Sequence, residues 1–437
     1  MSIGSDPLVL DVAVIGGGIA GLAAAATLRR QGHHVTVYEQ SRFLNEVGAA
    51  IHLAPNAARI LKTLGFDPVR ANAVQNSWSL NRQGDTMEVN WSRSLDYIVK
   101  DFGTPWYLFH RVDLHNELKR LAFEEGEGIP AVLQLGSRVI SADTENTRIT
   151  LHDGTEIHAD VILGADGVHS KTVVAVTGRE TPSSPTGQAA YRFIIPVVDL
   201  LKDSDTAWLV KDRPITMNIF PIEDRRIASY PCRNNTLFNF VGIHPERPDQ
   251  NAIEDWNASA SLESLMETYE QFHPSVKAVL RKAETLGDLK LWKLLSREPL
   301  RNWVRGNVCL IGDAAHPMLP HSGQGGGQSI EDAAALGILL SKLGSKSEIP
   351  QRLKAFEALR LRRASAIQIL SSHGQDQAYK SQEAARPYID GPVPANQREF
   401  HTFMYSYHVL VESAKVLDTL NSGKYASASW ENGAIVV

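Results

Sequence analysis

The stretch from Gly312 to Asp332 concentrates residues that bind ligands through the backbone. It reads GDAAHPMLPHSGQGGGQSIED, with five glycines, two prolines and two histidines, and it follows the apolar run NVCLI. Glycine has no Cβ, so a ligand can approach its backbone N–H group closely. We predict that Asp313 accepts hydrogen bonds from the hydroxyls of a polyol. We also predict a helix beginning near Gly325, whose unpaired N–H groups face a hydrogen-bond-accepting ring edge.

Two further glycine-rich turns follow strand-like runs. GGGIAG has the spacing Gly16-x-Gly18-x-x-Gly21, and GADG occupies 164–167. Around the first turn, LVLDVAVIG predicts a buried strand, the following alanine-rich run a helix, and HHVTVYEQ a second strand that ends at Glu39. This order is typical of a dinucleotide-binding βαβ unit, whose turn holds a pyrophosphate and whose acid accepts from ribose. Together the three turns indicate one extended ligand bound across a sheet.

The rest of the chain must position these turns. Alternating polar and apolar residues over 186–245 predict an antiparallel sheet, and 137–167 predicts a strand meander that returns to the buried strand VILGADG. Further predictions are a helix at 55–65, strands near 76–91, a helix capped by Asp113, a helix at ESLMETYEQFHPSVKAVLRKA, and mainly helices from Gly325 to about residue 422.

Composition narrows the class of protein. The chain has 437 residues, of which 43% are hydrophobic and 21% charged, a net charge of −5 and two cysteines. These values favour a globular protein of two or three domains and argue against nucleic acid as a partner, a disulfide framework or a metal cluster. The uncharged run 12–28 contains three consecutive glycines and is too short to span a bilayer. We therefore expect no stable membrane insertion and a cytoplasmic location.

The motifs resemble those of a known family over nearly the whole chain. DVAVIGGGIAGLAAA with YEQ, FHRVDLHNEL, GADGVHS, AYR, YPCR and GDAAHPMLPHSGQGGGQSIEDA are similar to the class A FAD-dependent aromatic monooxygenases. The resemblance is to the salicylate-hydroxylase-like branch, including the fungal hydroxylases that dearomatise phenols. It implies an α/β fold with a Rossmann-like FAD-binding domain of the glutathione-reductase type, an inserted antiparallel-sheet substrate domain, and C-terminal helices.

The resemblance also implies domain bounds and cofactors. The expected FAD-binding domain comprises 1–75, 106–183 and 296–345, the substrate domain 76–105 and 184–295, and the C-terminal helical region 346–437. FAD is the implied cofactor. Because only one complete Rossmann fingerprint is present, NAD(P)H, with NADPH preferred, is expected to dock transiently.

The implied FAD-binding residues lie in all three turns and in the segments between them. Asp313 would hold the ribityl chain, the loop from Pro320 to Gly327 would lie beside the isoalloxazine ring, and Arg111 would reach the FAD. For Arg42, contact with phosphate and exposure to solvent are equally consistent with the sequence. The full set is Gly16, Gly18, Gly21, Glu39, Arg42, Gly48, Ala50, Arg111, Val139, Asp166, Asp313, Pro320, Gly323, Gly325, Gly326 and Gly327.

Catalysis in this family transfers an electrophilic oxygen from a flavin C4a-hydroperoxide to an electron-rich ring. The resemblance implies that Arg192 stabilises a phenolate. Either Tyr230 or Tyr107 would supply a second phenol-binding group, and His321 would relay a proton. His316 is expected to cap a turn. Phe109, Phe220 and Phe238 are expected in the core.

These expectations define a function and its rivals. The protein would hydroxylate a phenolic ring with O2 and NAD(P)H, and dearomatisation or decarboxylation of the substrate stays open. The alternatives are an indole or alkene hydroxylase or epoxidase of the same flavin class, and a non-catalytic FAD-fold binding protein. The partners would be a small aromatic substrate and O2, and the protein would be a monomer or a homodimer.

Overall fold

The computed structural model describes residues 8–42, 49–247, 260–286, 289–373, 379–424, 429–431 and 434–436. The strands are β1 Asp11–Ile15, β2 His34–Glu39, β3 Ala50–Leu53, β4 Val74–Gln75, β5 Trp78–Arg82, β6 Val89–Ser94, β7 Tyr107–His110, β8 Val132–Leu135, β9 Val139–Asp143, β10 Arg148–Leu151, β11 Glu156–His158, β12 Val161–Gly164, β13 Ser184–Pro196, β14 Thr216–Ile222, β15 Arg225–Cys232, β16 Leu237–Pro245, β17 Lys290–Ser296, β18 Val304–Arg305, β19 Val308–Leu310, β20 Ser429–Glu431 and β21 Ala434–Val436. The helices are α1 Ile19–Arg29, α2 Pro55–Thr63, α3 Asp96–Phe102, α4 Arg111–Phe123, α5 Thr172–Thr177, α6 Val197–Leu201, α7 Ser204–Ala207, α8 Leu262–Thr268, α9 Pro274–Leu280, α10 Gly325–Leu339, α11 Ile349–Leu370, α12 Gln382–Ala385, α13 Gln397–Tyr405 and α14 Val409–Asn421.

A six-stranded sheet carries the three glycine-rich turns. Its order is β18-β19-β12-β1-β2-β8, and every neighbouring pair is parallel except β18 with β19. Strands β1, β12 and β19 are almost wholly buried because apolar residues fill both of their faces. Their carboxyl ends meet at one edge of the sheet, which is where ligands bind in such folds.

Two helices pack closely over this sheet. All eleven residues of α1 are buried, and six of them are glycine or alanine in the run AGLAAAA. A Cβ at Gly337 of α10 would lie only 2.1 Å from Cγ2 of Thr27 in α1. The small side chains therefore let α10 pack directly against α1.

The second large sheet is the predicted antiparallel one. Its order is β17-β13-β16-β15-β14-β5-β6, and only β14 with β5 is parallel. Alternate residues face opposite sides of a strand. One side, with Tyr191 and Phe193, forms a core under α8 and α9. The other side, with Arg192 and Tyr230, faces the FAD-binding half.

The predicted fold class, a parallel-sheet FAD-binding unit with an antiparallel sheet and C-terminal helices, is confirmed. Two local predictions are wrong. The single helix expected over ESLMETYEQFHPSVKAVLRKA is two short helices, α8 and α9, because His273 starts a new helix at Pro274. Asp113 does not cap α4, which begins two residues earlier with His110 at its N-cap. Within the described residues, no helix is both long and apolar enough to cross a bilayer.

Candidate active site

The turn after β1 leaves room for a ligand at one glycine. Gly16 has φ +103°, and a Cβ there would lie 2.5 Å from the carbonyl oxygen of Ala165. A Cβ at Gly21 would lie 2.0 Å from the carbonyl oxygen of Gly16, so these two glycines are required by the fold itself. At Gly18 a Cβ would meet no atom within 4 Å. The space in front of Gly18 is thus available to a pyrophosphate.

The three turns converge, as the sequence predicts. The contact of Gly16 with Ala165 joins the first turn to the GADG turn. A Cβ at Gly312 would lie 2.6 Å from Cβ of Ala20, which joins the third turn to α1. At Gly326 it would lie 3.8 Å from Cδ1 of Ile19. The first turn of α10 therefore lies next to the turn after β1.

Glu39 is held in place at the end of β2. Its Oε2 accepts from the Gly17 N–H at 2.8 Å, and its Oε1 accepts from the Ser41 N–H at 2.8 Å. Each carboxylate oxygen has a further lone pair, so Glu39 can still accept from a ribose hydroxyl. The carbonyl of Gly17 in turn lies 2.8 Å from Nε2 of the buried His115. Arg42 is exposed, and Gly48 lies outside the described residues.

Asp313 faces a recess in the protein. Its side chain is accessible, yet burial raises its pKa, while His316, Arg111 and Arg297 act in the opposite direction. A side chain that is both accessible and desolvated lines a cleft surrounded by protein. A Cβ at Gly325 would lie 3.9 Å from Oδ1 of Asp313, so the carboxylate and the N-terminus of α10 share this cleft. These groups suit the ribityl chain and the hydrogen-bond-accepting ring edge of FAD.

The remaining predicted FAD-binding residues have mixed surroundings. Asp166 accepts four hydrogen bonds from its own chain, from Ser170 Oγ, the Lys171 N–H, and the N–H and Oγ1 of Thr172. Its carboxylate therefore caps the start of α5. Val139 opens β9 and is partly buried. Ala50 is buried and donates its N–H to Oδ1 of Asn239 on the antiparallel sheet.

Arg111 is the first residue of α4, and its charge acts on both Asp313 and Arg192. Pro320 opens a short 3-10 turn that ends at Gly323 with φ +58°. A Cβ at Gly327 would lie 3.2 Å from Oε1 of Gln324. The turn from Pro320 to Gly323 leads directly into α10.

Arg192 and Tyr230 lie on the same face of the antiparallel sheet. Arg192 is opposite Val241 and Tyr230 is opposite Asn239, and these two partners are separated by one residue on β16. The Arg192 guanidinium lies 4.3 Å from the centroid of the Trp292 ring. Burial lowers the pKa of Arg192 to about 10, while the neighbouring Tyr230 acts to raise it. Arg192 is therefore a desolvated cation that is still charged at neutral pH.

Tyr230 is buried, and burial raises its pKa well above the usual range. It is therefore a neutral phenol that can donate a hydrogen bond. Its ring makes an edge contact with His52 at a centroid distance of 6.0 Å. Tyr230 thus links the antiparallel sheet to β3.

No sequence pattern singled out His52. Its Nδ1 accepts from the indole N–H of Trp106 at 3.1 Å, so the proton of the neutral ring is on Nε2. Burial lowers its pKa to about 4, which keeps the ring neutral. A Cβ at Gly323 would lie 2.0 Å from Nε2, so His52 lies directly against the glycine-rich loop. A polar residue inside the short apolar strand AIHL is the one signal that the sequence offers.

His321 contacts the antiparallel sheet near the beginning of β13. Its Nε2 is 3.2 Å from Oε1 of Gln188, which is an acceptor, so Nε2 carries the proton. Burial, followed by the charge of Arg226, lowers the pKa of His321 to about 3. His321 is neutral across the physiological range, and its Nδ1 is a free acceptor among the described residues.

Tyr107 faces away from this group. On β7 it shares a side with Phe109, at a ring distance of 5.8 Å, and packs against the core of the FAD-binding half. Its neighbour Leu108 is the residue in the cluster with Tyr230. The structure thus brings Arg192 and Tyr230 together and leaves Tyr107 on the opposite side of its strand. Phe109, Phe220 and Phe238 are core residues, as predicted.

A buried ion cluster beneath α10 was not anticipated either. Arg360 donates to Glu331 and Asp332, and Arg363 donates from two nitrogens to Glu331. Asp332 also accepts from the N–H of Gly312 at 3.0 Å and contacts His316 Nε2 at 2.6 Å. The prediction that His316 caps a turn is therefore wrong, since its ring pairs with Asp332. The cluster fixes α10 relative to the turn that carries Asp313.

Comparisons with known proteins identify the family of this chain. A family model described as an FAD binding domain matches residues 9–370. The FAD-dependent monooxygenase cfoG of Aspergillus candidus is 36% identical over 92% of this chain and 93% of its own. Hispidin-3-hydroxylase of Neonothopanus nambi is 35% identical over 94% and 97% of the two chains. A solved salicylate hydroxylase substrate complex superposes with a TM-score of 0.72 at 25% identity, over 93% of this chain and 98% of its own.

The matching family model, an FAD binding domain, covers most of the chain. The relatives are enzymes rather than binding proteins, which argues against a non-catalytic FAD-fold protein. The chain belongs to the FAD-dependent monooxygenases.

Proposed function

We propose that this monooxygenase hydroxylates a phenolic aromatic substrate with O2 and NAD(P)H, and that Arg192 binds the substrate as its phenolate. The observation that supports this most directly is the position of the half-buried Arg192, whose guanidinium lies beside Tyr230 and over Trp292 and is desolvated by the surrounding protein. A desolvated cation is stabilised by an anion. A phenol bound here would therefore lose its proton more easily than in water.

Deprotonation matters because it makes the ring electron-rich. Reduced FAD, when bound, activates O2 and supplies an electrophilic oxygen atom to the ring. Arg192 would hold the phenolate oxygen, and Tyr230 would donate a second hydrogen bond to it. His52 has its proton on Nε2 and lies against Gly323. It would border the substrate ring between the antiparallel sheet and the glycine-rich loop. His321, which is neutral in the physiological range, would accept a hydrogen bond at Nδ1.

FAD itself would be held by the residues of the recess. We propose the pyrophosphate at Gly18, the ribose at Glu39, the ribityl chain at Asp313, and the ring beside the backbone from Pro320 to Gly327. Asp166 would act through the backbone of its turn, because its carboxylate is used by α5. Arg42, Gly48, Ala50, Arg111 and Val139 complete the proposed FAD-binding set.

The proposal includes the domain bounds, the reductant, the location, the oligomeric state and the partners. We propose that 1–75, 106–183 and 296–345 form the FAD-binding domain, 76–105 and 184–295 the substrate domain, and 346–437 the C-terminal helical region. The composition of the two large sheets supports this division. We propose NADPH as the transient reductant, a cytoplasmic monomer or homodimer, and no nucleic-acid partner. The net charge of −5 supports the last of these.

The test compares phenols with matched substrates that cannot ionise. Purified protein is supplied with FAD, NAD(P)H and a panel of phenols, their methyl ethers, and indoles, and the hydroxylated product is measured. We expect phenols alone to be converted. Arg192→Met should lower kcat/KM for phenols roughly tenfold or more, with FAD content unchanged. Equal conversion of methyl ethers or indoles, or full activity of Arg192→Met, would overturn the phenolate assignment and favour the indole or alkene alternative.

A further inference from the structure

The side chain of Arg233 ties the hairpin between β15 and β16 to the FAD-binding half. Arg233 donates from Nε to Oδ2 of Asp113 and from Nη2 to Oδ1, both at 2.8 Å. Its Nη2 also lies 3.0 Å from Nδ1 of His110. Two parallel hydrogen bonds fix the relative orientation of the two side chains as well as the distance between them.

The surroundings strengthen this pair. The Asp113 side chain is only 10% exposed, and that of Arg233 is 37% exposed, so solvent screens the pair less than it would at the surface. Burial, then Arg233, lowers the pKa of His110 to about 4. His110 is therefore neutral, and its Nδ1 is an acceptor because a guanidinium can only donate.

The hairpin tip has a strained backbone that matches this contact. Arg233, Asn234 and Asn235 are consecutive and have φ of 49°, 51° and 60°, a region that residues with a Cβ rarely adopt. Asn234 donates its N–H to the carbonyl of Asn72 at 2.9 Å and its Nδ2 to Oδ1 of Asn72 at 2.8 Å. Contacts with the other half of the protein thus accompany the strained turn.

The two ends of the Arg233–Asp113 pair are close to the proposed active site. Arg233 follows Tyr230 by three residues, and Asp113 lies one helical turn or less from Arg111, whose charge reaches Arg192 and Asp313. We propose that Arg233 is a positioning residue. It would set the separation between the antiparallel sheet, which carries Arg192 and Tyr230, and the half of the protein that would bind FAD. This inference rests on the proposed monooxygenase reaction.

A looser hairpin would alter the outcome of that reaction. With the ring correctly placed, NAD(P)H, H⁺, O2 and the aromatic C–H give NAD(P)⁺, water and the hydroxylated product. With the ring misplaced, NAD(P)H, H⁺ and O2 give NAD(P)⁺ and H2O2, and the substrate is unchanged. A small displacement is enough, since oxygen transfer requires near-contact of the reacting atoms.

The experiment measures the fraction of NAD(P)H that appears as hydroxylated product, together with H2O2 and the KM for the substrate. Arg233→Gln, Asp113→Asn and the double variant are compared with the parent enzyme, using the substrate that the parent turns over best. We expect each single variant to lower the coupled fraction roughly threefold or more with FAD content unchanged. The coupled fraction of the double variant should be no lower than that of the more strongly affected single variant, because the two substitutions remove the same interaction.

Lys282→Gln is the matched control. It removes an ion pair with Asp203 on the helix-covered side of the antiparallel sheet and should leave coupling at the parent level. If Arg233→Gln does not bind FAD, Arg233→Lys, which keeps the charge without the two-pronged contact, decides the question. If that variant has the same coupled fraction and the same KM as the parent enzyme, the inference is overturned. The coupling assay works with an indole as well as with a phenol. Failure of the inference about Arg233 can therefore be distinguished from failure of the phenol proposal.

Discussion

The indole N–H of Trp106 donates to Nδ1 of His52 at 3.1 Å, and the two rings lie 5.2 Å apart at 58°. This hydrogen bond assigns the proton of His52 to Nε2, the nitrogen beside Gly323. A residue outside the glycine-rich loop thus controls which hydrogen-bonding group faces that loop.

Trp106→Phe should therefore affect the reaction and not only the stability. Loss of the donor removes a hydrogen bond that favours the neutral ring, so the pKa of His52 should rise above about 4, while burial continues to hold it below its ordinary value. We expect the acid limb of the kcat/KM profile to move to higher pH and H2O2 release to increase. The profile should be measured from pH 5 to 8.

Trp303→Phe provides the comparison for Trp106→Phe. Trp303 is fully buried, and its indole N–H has no partner in the described part of the chain, so the same volume is lost without a hydrogen bond. It should lower the free energy of unfolding but leave the pH profile unchanged. Identical profiles for both variants would contradict the role assigned to Trp106.

Gly18→Ala and Gly21→Ala should fail in different ways. A Cβ at Gly18 meets no protein atom within 4 Å, so the protein without FAD should fold normally and bind FAD more weakly. A Cβ at Gly21 would lie 2.0 Å from the Gly16 carbonyl oxygen, so this variant should be destabilised by about 1–3 kcal/mol or more. Flavin titration and denaturant unfolding of the FAD-free protein distinguish the two. Unchanged FAD affinity in Gly18→Ala would place the pyrophosphate elsewhere.

Asp313→Asn should weaken FAD binding without lowering the stability of the FAD-free protein. Burial raises the pKa of Asp313, which means that the folded protein disfavours its charge. Above the unfolded pKa of an aspartate this group therefore costs stability, and the amide removes that cost. We expect the FAD-free variant to be at least as stable as the parent, while FAD binds roughly tenfold or more weakly. Lower stability of the FAD-free variant would contradict this account.

Buried neutral histidines should make the protein sensitive to acid. Burial lowers the pKa of His52, His110, His244 and His401 to about 4 and that of His321 to about 3. Unfolding raises each pKa toward the ordinary value of about 6.5, so the unfolded chain binds more protons below that pH. Stability should be complete above about pH 6.5 and decline as the pH falls toward 4.

His244→Asn tests this pH dependence away from the proposed active site. His244 stacks on Tyr191 on the helix-covered side of the sheet. The free energy of unfolding, measured by denaturant between pH 7 and 4.5, should depend on pH less steeply in the variant by about one proton. Equal slopes in the variant and the parent would show that His244 is already protonated in the folded state.

Local patterns in the sequence were sufficient for the FAD-binding half. The spacing of Gly16, Gly18 and Gly21, the acid at Glu39 and the strand before Asp313 each follow from contacts within a few residues. For this reason the βαβ unit and the convergence of the three turns were predictable. The face of the antiparallel sheet that carries Arg192 was also predictable, since strand residues alternate.

Pairings between distant segments were not predictable. Asp113 has the sequence context of a helix cap, and only the folded chain shows that Arg233, 120 residues away, takes its carboxylate. His52 and Trp106 become partners because β3 pairs with β7. The break at Pro274 reflects the general preference of proline for the first turn of a helix, which the apolar spacing of the segment obscured.

The ions buried under α10 join the glycine-rich loop to the far end of the chain. Arg363 donates to Glu331 and also to the carbonyls of Phe403 and Met404, so one guanidinium belongs to both regions. An exchange of the segment beyond residue 345 for that of a relative would strand two carboxylates in the interior unless matching arginines came with it. The C-terminal helices can therefore be exchanged only for a segment that brings arginines to the positions of Arg360 and Arg363.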